Sequence, residues 1–163
     1  MDKFKIWARI DNRLIHGQVI ERWFPYCKSK YVIVANDELA EDPLRQEIMK
    51  LAIPNNIQIF FTKIIDLPTT LSQITKHKKQ NSIFVLFADC KDARRAFDNG
   101  FKFYILNIGN LHYSPGKKQV CDHIFLAKED ILCLKYLKEQ GITLDFRCVP
   151  NNPINIKIDE VWI

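Results

Sequence analysis

Two uninterrupted apolar runs constrain this chain most: Tyr31–Ala35 (YVIVA) and Ile83–Ala88 (IFVLFA). Each has the length of a strand and offers water no polar face. Such a strand is stable when both of its faces are covered, as in a parallel sheet packed between helices. The intervening segments read as helices, so strand and helix alternate along the chain. The fold class expected is α/β: a three-layer open, mostly parallel sheet with helices on both faces. At 163 residues, 47% of them hydrophobic, a single domain over residues 1–163 can bury a real core.

In chain order, strand one is about Phe4–Ile10, and helix one runs from Gly17 to about Phe24 with Pro25 just past its end. Asn36 and Asp37 open a loop after the second strand. Asp42 and Pro43 suit the N-cap and first turn of a helix, with Leu44, Ile48, Leu51 and Ala52 following at helical spacing. Ile57–Thr62 is the third strand and Ile64–Lys76 a helix. Asp89 caps the next helix, with Ala93, Ala96 and Phe97 inward and Gly100 as its stop. Phe101–Ile108 is the fifth strand and Val120–Leu126 a further short one. Lys128–Gln140 is an amphipathic helix, Thr143–Val149 the last clear strand, and Ile154–Ile163 one more short piece. Right-handed crossovers then gather the loops that follow the strands on one edge. That edge collects Asp11–His16, Asn36–Asp37, Asp89 and Gly109–Gly116.

Composition removes several function classes. The formal charge of +5 is spread along the chain, without the dense basic stripe and interleaved aromatics of a nucleic-acid footprint. Cys27, Cys90, Cys121, Cys133 and Cys148 lack any C-x-x-C spacing, which argues against a disulfide framework and against zinc. Reduced thiols in a cytoplasmic protein fit them better. The first residues carry no apolar signal region, and no apolar run approaches the length of a membrane span. Work at a membrane would therefore go through a partner. P-loop, G-x-G-x-x-G, H-E-x-x-H and G-x-S-x-G motifs are missing, so metal, nucleotide and serine-hydrolase chemistry have no support.

The stretch Arg9–Val19 (RIDNRLIHGQV) concentrates what chemistry the chain offers. It joins a strand to a helix N-terminus, where open α/β sheets place ligands. His16 is a competent nucleophile near neutral pH. Phosphoryl transfer needs mainly positioning and stabilisation of negative charge. Arg9 and Arg13 can supply positive charge, and the amides of Gly17 and Gln18 would point at the same spot. Asp11 can accept a hydrogen bond from the other ring nitrogen or hold an arginine. In the second loop, Gly109, Asn110 and His112 are candidates for phosphate or partner contact, as are Asn36 and Asp37. The residues alone leave a plainer alternative open: His16 as a capping or half-buried histidine, with Asp11 and Arg13 as a surface ion pair.

Residues 9–19 closely resemble the signature of the IIB component of mannose-family sugar phosphotransferase systems. The resemblance runs through nearly the whole chain. It includes Val34–Glu38, Ala40–Pro43, and the stretch Leu106–Tyr113 with Gly116–Gln119, which look most like the N-acetylgalactosamine or galactosamine branch. The resemblance implies that His16 is transiently phosphorylated by a IIA protein or domain. It then passes the group to a sugar held by the membrane components IIC and IID. It implies no metal or nucleotide cofactor, and it leaves a homodimer open. The family usually has an acidic residue where this chain has Asn12, so the expectation is a more positive pocket that holds the phosphorylated form longer. The alternative function is a regulatory or binding module of the same fold that senses a phosphorylated partner. A small α/β enzyme acting on an anionic metabolite is the third reading.

Overall fold

The computed structural model describes residues 4–77 and 82–161. Six strands form one sheet: β1 (Lys5–Ile10), β2 (Tyr31–Ala35), β3 (Gln58–Thr62), β4 (Ser82–Phe87), β5 (Ile105–Ile108) and β8 (Thr143–Asp145). Their order is β3-β2-β4-β1-β5-β8, and every neighbouring pair is parallel. A separate antiparallel hairpin, β6 (Lys118–Cys121) with β7 (Ile124–Leu126), stands beside it. The α/β expectation therefore holds.

Strand alternation sorts the side chains onto two faces. Ala8, Ile10, Ile33, Val85 and Phe87 pack with α4 (Leu67–His77), α5 (Cys90–Asp98) and α6 (Lys128–Glu139). Val32, Val34, Phe84 and Leu86 pack on the other face against Val19, Trp23, Phe24 and Leu39. Arg9, set between Ala8 and Ile10, is thereby turned to this second face, and so is Asn107, set between Leu106 and Ile108. The register makes Arg9 the direct neighbour of Asn107, and Asn107 that of Asp145. One row of the second face is thus polar under a helix.

That helix covers residues 17–27, and Pro25 lies inside it, contrary to expectation. A π turn, Val19–Trp23, precedes the α turn Phe24–Cys27 (α1), and the Phe24 amide donates to the Val19 carbonyl. A proline inside a regular helix lacks its own N–H and presses on the carbonyl four residues back. The wider π turn relieves that contact, so the helix continues past it to Lys28.

Other boundaries differ for local reasons. Asn36 and Asp37 do not open a loop. Asn36 caps the short α2 (Asp37–Ala40), accepting from the Leu39 amide at 2.9 Å. The fifth strand starts later than Phe101, because Phe101 and Phe103 form an aromatic cluster with Phe87 and Phe97 and pairing with β1 begins at Leu106. Val120–Leu126 is not one strand, since Asp122 and His123 make the turn of the β6–β7 hairpin. The last strand ends at Asp145, whose carboxylate accepts from the Arg147 amide at 3.1 Å and folds the chain back. The terminal piece is a 3₁₀ turn, Ile158–Glu160; residues 162–163 of that expectation, like residues 1–3, lie outside the described ones.

Asp42 and Asp89 cap their helices as expected, accepting from the amides of Arg45 at 3.1 Å and Asp92 at 2.8 Å. The helix begun by Asp42, α3 (Pro43–Leu51), is turned differently from its apolar spacing. Leu44, Ile48 and Leu51 are 72%, 59% and 87% exposed. Gln46 is tied to the Leu39 carbonyl at 2.8 Å, and Met49 and Ile53, on the same side, meet the core instead. Ile48→Ser or Leu51→Ser should then change unfolding free energy by less than about 0.5 kcal/mol. Leu134→Ala, in the core of α6, should cost about 2–5 kcal/mol, both read by urea unfolding.

Candidate functional site

The connections leaving β1 and its neighbours β4 and β5 run over opposite faces of the sheet. This opens a crevice at the carboxyl ends of these strands, the position where doubly wound sheets bind ligands. Asp11 is the first residue past β1, and its amide donates to the Phe87 carbonyl at 2.8 Å, so the sheet itself sets its place. A tight turn follows. The Leu14 amide returns to the Asp11 carbonyl at 3.0 Å, and Leu14 takes a left-handed backbone with φ 56. The turn buries Leu14 and Ile15 in the second core cluster and brings His16 back over Asp11.

His16 Nε2 lies 2.8 Å from Asp11 Oδ2. The same oxygen accepts from Arg9 Nη2 and from Asn110 Nδ2, each at 3.0 Å. Asp11 Oδ1 accepts from the Arg13 amide at 3.0 Å. Burial alone would raise the Asp11 pKa. The His16 hydrogen bond, the Arg9 charge and the Asn110 donor outweigh it and hold the carboxyl below its ordinary value. Asp11 is therefore ionised, and an ionised carboxylate can only accept. His16 Nε2 must carry the proton. In the neutral ring, Nδ1 then keeps its lone pair, and Nδ1 is buried with no hydrogen-bond partner among the described residues.

Arg9 is the floor of the site. It is fully buried and its guanidinium is shared among Asp11, Asn107 Oδ1, Gln18 Oε1 at 3.4 Å and the Arg147 carbonyl at 3.5 Å. Trp23 covers it, with the ring centroid 5.1 Å from Cζ. Burial pulls the Arg9 pKa down, and the Asp11 charge opposes that. Gly109 makes this packing feasible: a Cβ there would stand 2.2 Å from the guanidinium. Gln18 and Asn110 close one side, joined at 3.1 Å, with Cys148 Sγ 3.3 Å from Gln18 Nε2.

Several expected site residues are placed otherwise. Arg9 does not face a phosphate; it holds Asp11 from beneath. Arg13 contributes only its amide to the cluster, and its exposed side chain makes no ion pair among the described residues. Gly109 gives room to Arg9 rather than forming an anion nest. His112 is exposed and joins by its backbone, donating to Asn12 Oδ1. Asn36 is a helix cap. Asp37 is held by the Ile64 amide at 2.8 Å and Arg95 at 3.0 Å, so neither belongs to the His16 network. Leu14 and Leu111 are buried, whereas Tyr113 is 65% exposed. The His16 side chain is itself only 6% exposed, because the Leu14–Ile15 turn draws it inward. Gly17 is exposed, and a Cβ there would meet nothing within 4 Å.

The sequence reading missed Asn107, Trp23 and the carbonyls of Arg147 and Cys148. Asn107 donates to the Arg147 carbonyl at 3.0 Å, and Trp23 Nε1 to that of Cys148 at 2.8 Å. The available signal was an asparagine in an apolar strand, at the alternation that matches Arg9.

Comparisons with known proteins agree with one another. A family model described as PTS system sorbose subfamily IIB component matches residues 6–160. The sorbose-specific EIIB component of Lacticaseibacillus casei is 31% identical over 159 residues, 95% of each chain. The crystal structure of a PTS-dependent N-acetyl-galactosamine IIB component from Streptococcus pyogenes aligns with a TM-score of 0.82 at 32% identity. It covers 92% of this chain and 91% of that one. The mannose-specific EIIAB component of Escherichia coli (strain K12) is 31% identical over 147 residues, 90% of this chain and 45% of the longer one.

Two outcomes follow from the geometry. Gly109→Ala should displace the Arg9 guanidinium and cost about 1–3 kcal/mol in urea unfolding, as overpacking does. Asp11→Ala should cost about 3–5 kcal/mol, since it leaves Arg9 buried and unpaired. The ionised Asp11 contributes stability that is present above the ordinary carboxylate value of about 3.9 and lost as pH falls through its lower folded value. A urea series across acid pH should show a shallower loss in Asp11→Asn than in the natural protein.

Proposed function

The chain belongs to the PTS sorbose-subfamily IIB components, and from that premise we propose that it carries a phosphoryl group on His16 Nδ1. IIB components transfer phosphate to a sugar, and the observation that carries this assignment is the orphaned Nδ1 of a ring whose other nitrogen is fixed on Asp11.

The Nδ1 lone pair attacks the phosphorus of a phosphohistidine on a IIA partner. A nitrogen–phosphorus bond forms to His16 as the one to the donor imidazole breaks. The His16 ring becomes a cation with its proton still on Nε2, and the Asp11 carboxylate at 2.8 Å is placed to hold that charge. In the second half-reaction a sugar hydroxyl attacks the phosphorus. An oxygen–phosphorus bond forms, the hydroxyl proton goes to solvent, and the Nδ1 lone pair is restored. Arg13, the exposed cation of the loop, and the amides of Gly17 and Gln18 at the helix start are the groups to meet the phosphoryl oxygens. Since the ring is nearly covered, docking must part the turn around Leu14 before transfer.

The mannose-named relative, called an EIIAB component, supports a IIA partner. Among the described residues no helix is long and apolar enough to cross a membrane. The sugar is met, in this reading, on the membrane components IIC and IID. N-acetylgalactosamine or a related amino sugar is the substrate we propose to try first, beside sorbose, which names another relative.

Incubation with phosphoenolpyruvate and the upstream phosphotransfer proteins should add one phosphoryl group, labile in acid and missing in His16→Ala. Phosphorus–nitrogen coupling in NMR should place it on Nδ1. Phosphate gained by a folded His16→Ala protein, or binding of the phosphorylated donor with no mass gain, would defeat the carrier role; the latter outcome is that of a binding module.

A further inference from the structure

We infer that Asn12 is a positioning residue that holds the Asn110 loop over the Asp11–His16 pair, and that it does so with both ends of a neutral amide. The inference rests on the phosphoryl-carrier reading and adds to it a residue outside the charged network.

β1 ends at Ile10, but backbone bonds continue past it, from the Asp11 amide to the Phe87 carbonyl and from the Asn12 amide to the Asn110 carbonyl. Asn12 extends the ladder by one more rung with its side chain. Its Nδ2 donates to the Ala88 carbonyl at 3.0 Å, on the β4 side. Its Oδ1 accepts from the His112 amide at 2.6 Å, on the β5 side. Its own amide donates to the Asn110 carbonyl at 2.8 Å. Asn12 thus holds the loop at the Asn110 carbonyl and again at the His112 amide, the two groups that bracket Leu111, while the Asn110 side chain donates to Asp11 Oδ2 and to Gln18 Oε1. The chain of contacts runs Ala88, Asn12, Asn110, Asp11, His16.

The two neighbours of this side chain suit an amide. One side of Asn12 faces a carbonyl and needs a donor; the other faces an N–H and needs an acceptor. A carboxylate would keep the His112 contact but would set an oxygen against the Ala88 carbonyl. With both polar atoms engaged in neutral hydrogen bonds, Asn12 acts by geometry. It stands as an alternative to the expectation that a missing acid leaves the pocket more positive.

The two accounts separate in one experiment on the full chain. The natural protein, Asn12→Asp and Asn12→Leu are compared, alone and with Asn110→Ala. Single-turnover phosphoryl uptake from phosphorylated IIA is followed, together with hydrogen exchange of the His112 amide and the His16 Nε2–H resonance in the unphosphorylated protein. A clamp predicts uptake in the order natural, Asp, Leu, with Asn12→Leu slower by about fivefold to tenfold, the worth of roughly one hydrogen bond, at unchanged donor KM. It predicts loss of His112 protection in Asn12→Leu, retention in Asn12→Asp, and a cost of less than about twofold once Asn110 is already alanine. A charge effect would put Asn12→Leu beside the natural protein and change Asn12→Asp alone. That result, or an equal loss with and without Asn110, would overturn the inference. If the natural protein takes up no phosphoryl group, the carrier reading fails by itself. The clamp is then judged on exchange and resonance: an Nε2–H signal unmoved in Asn12→Leu overturns it.

Discussion

A buried ion pair organises this molecule. Arg9 and Asp11 are both fully buried and stand 3.0 Å apart, one at the end of a central strand and the other just past it. Removing two charges from water costs several kcal/mol each, and mutual attraction offsets this only if the remaining donors and acceptors are also met. The surroundings are arranged to meet them. Asn107 and the Arg147 carbonyl accept from the guanidinium, Gly109 leaves it space, and Asn110, His16 and the Arg13 amide donate to the carboxylate. These groups come from β5 and the loop after it, from the loop after β1 and from the segment after β8, so the pair ties together the strands that converge on the crevice.

The same pair decides what the histidine can do. A carboxylate kept ionised by its neighbours fixes the proton on Nε2 and leaves Nδ1 electron-rich. Arg9 lies too deep to touch a substrate, but without its charge Asp11 would have a weaker reason to remain ionised. Arg13, His112 and Tyr113 are exposed around this pair. The buried charges thus lie beneath, and the exposed side chains lie above. In the proposed carrier role, the 6% exposure of the His16 side chain makes opening of the Leu14 turn a part of transfer.

Much of the fold was legible because its signals are local. Apolar runs give strands, and Asp42 and Asp89 give helix starts regardless of tertiary context. Alternation around Ala8 and Ile10 even shows which face Arg9 takes. What was illegible depends on contacts distant in sequence. The rotation of α3 is set by a tether from Gln46 to Leu39, and helix continuation through Pro25 needs a π turn. The site divides in the same way. His16, Asp11, Gln18 and Asn110 come together as the sequence suggested. The depth of Arg9, the purpose of Gly109 and the part played by Asn107 follow from strand register, which the sequence does not display. Asn36 and Asp37 misled because a polar pair after a strand looks alike whether it binds a ligand or caps a helix.

The central claim is that the Arg9–Asp11 pair pins the His16 proton to Nε2 and so makes Nδ1 the nucleophile. Nitrogen-15 NMR of the His16 imidazole in the unphosphorylated protein, at a pH where the ring is neutral, tests it most directly. The account predicts a protonated Nε2 and an Nδ1 with the chemical shift of a free lone pair. A proton found on Nδ1, or a ring exchanging freely between its two tautomers, would contradict it.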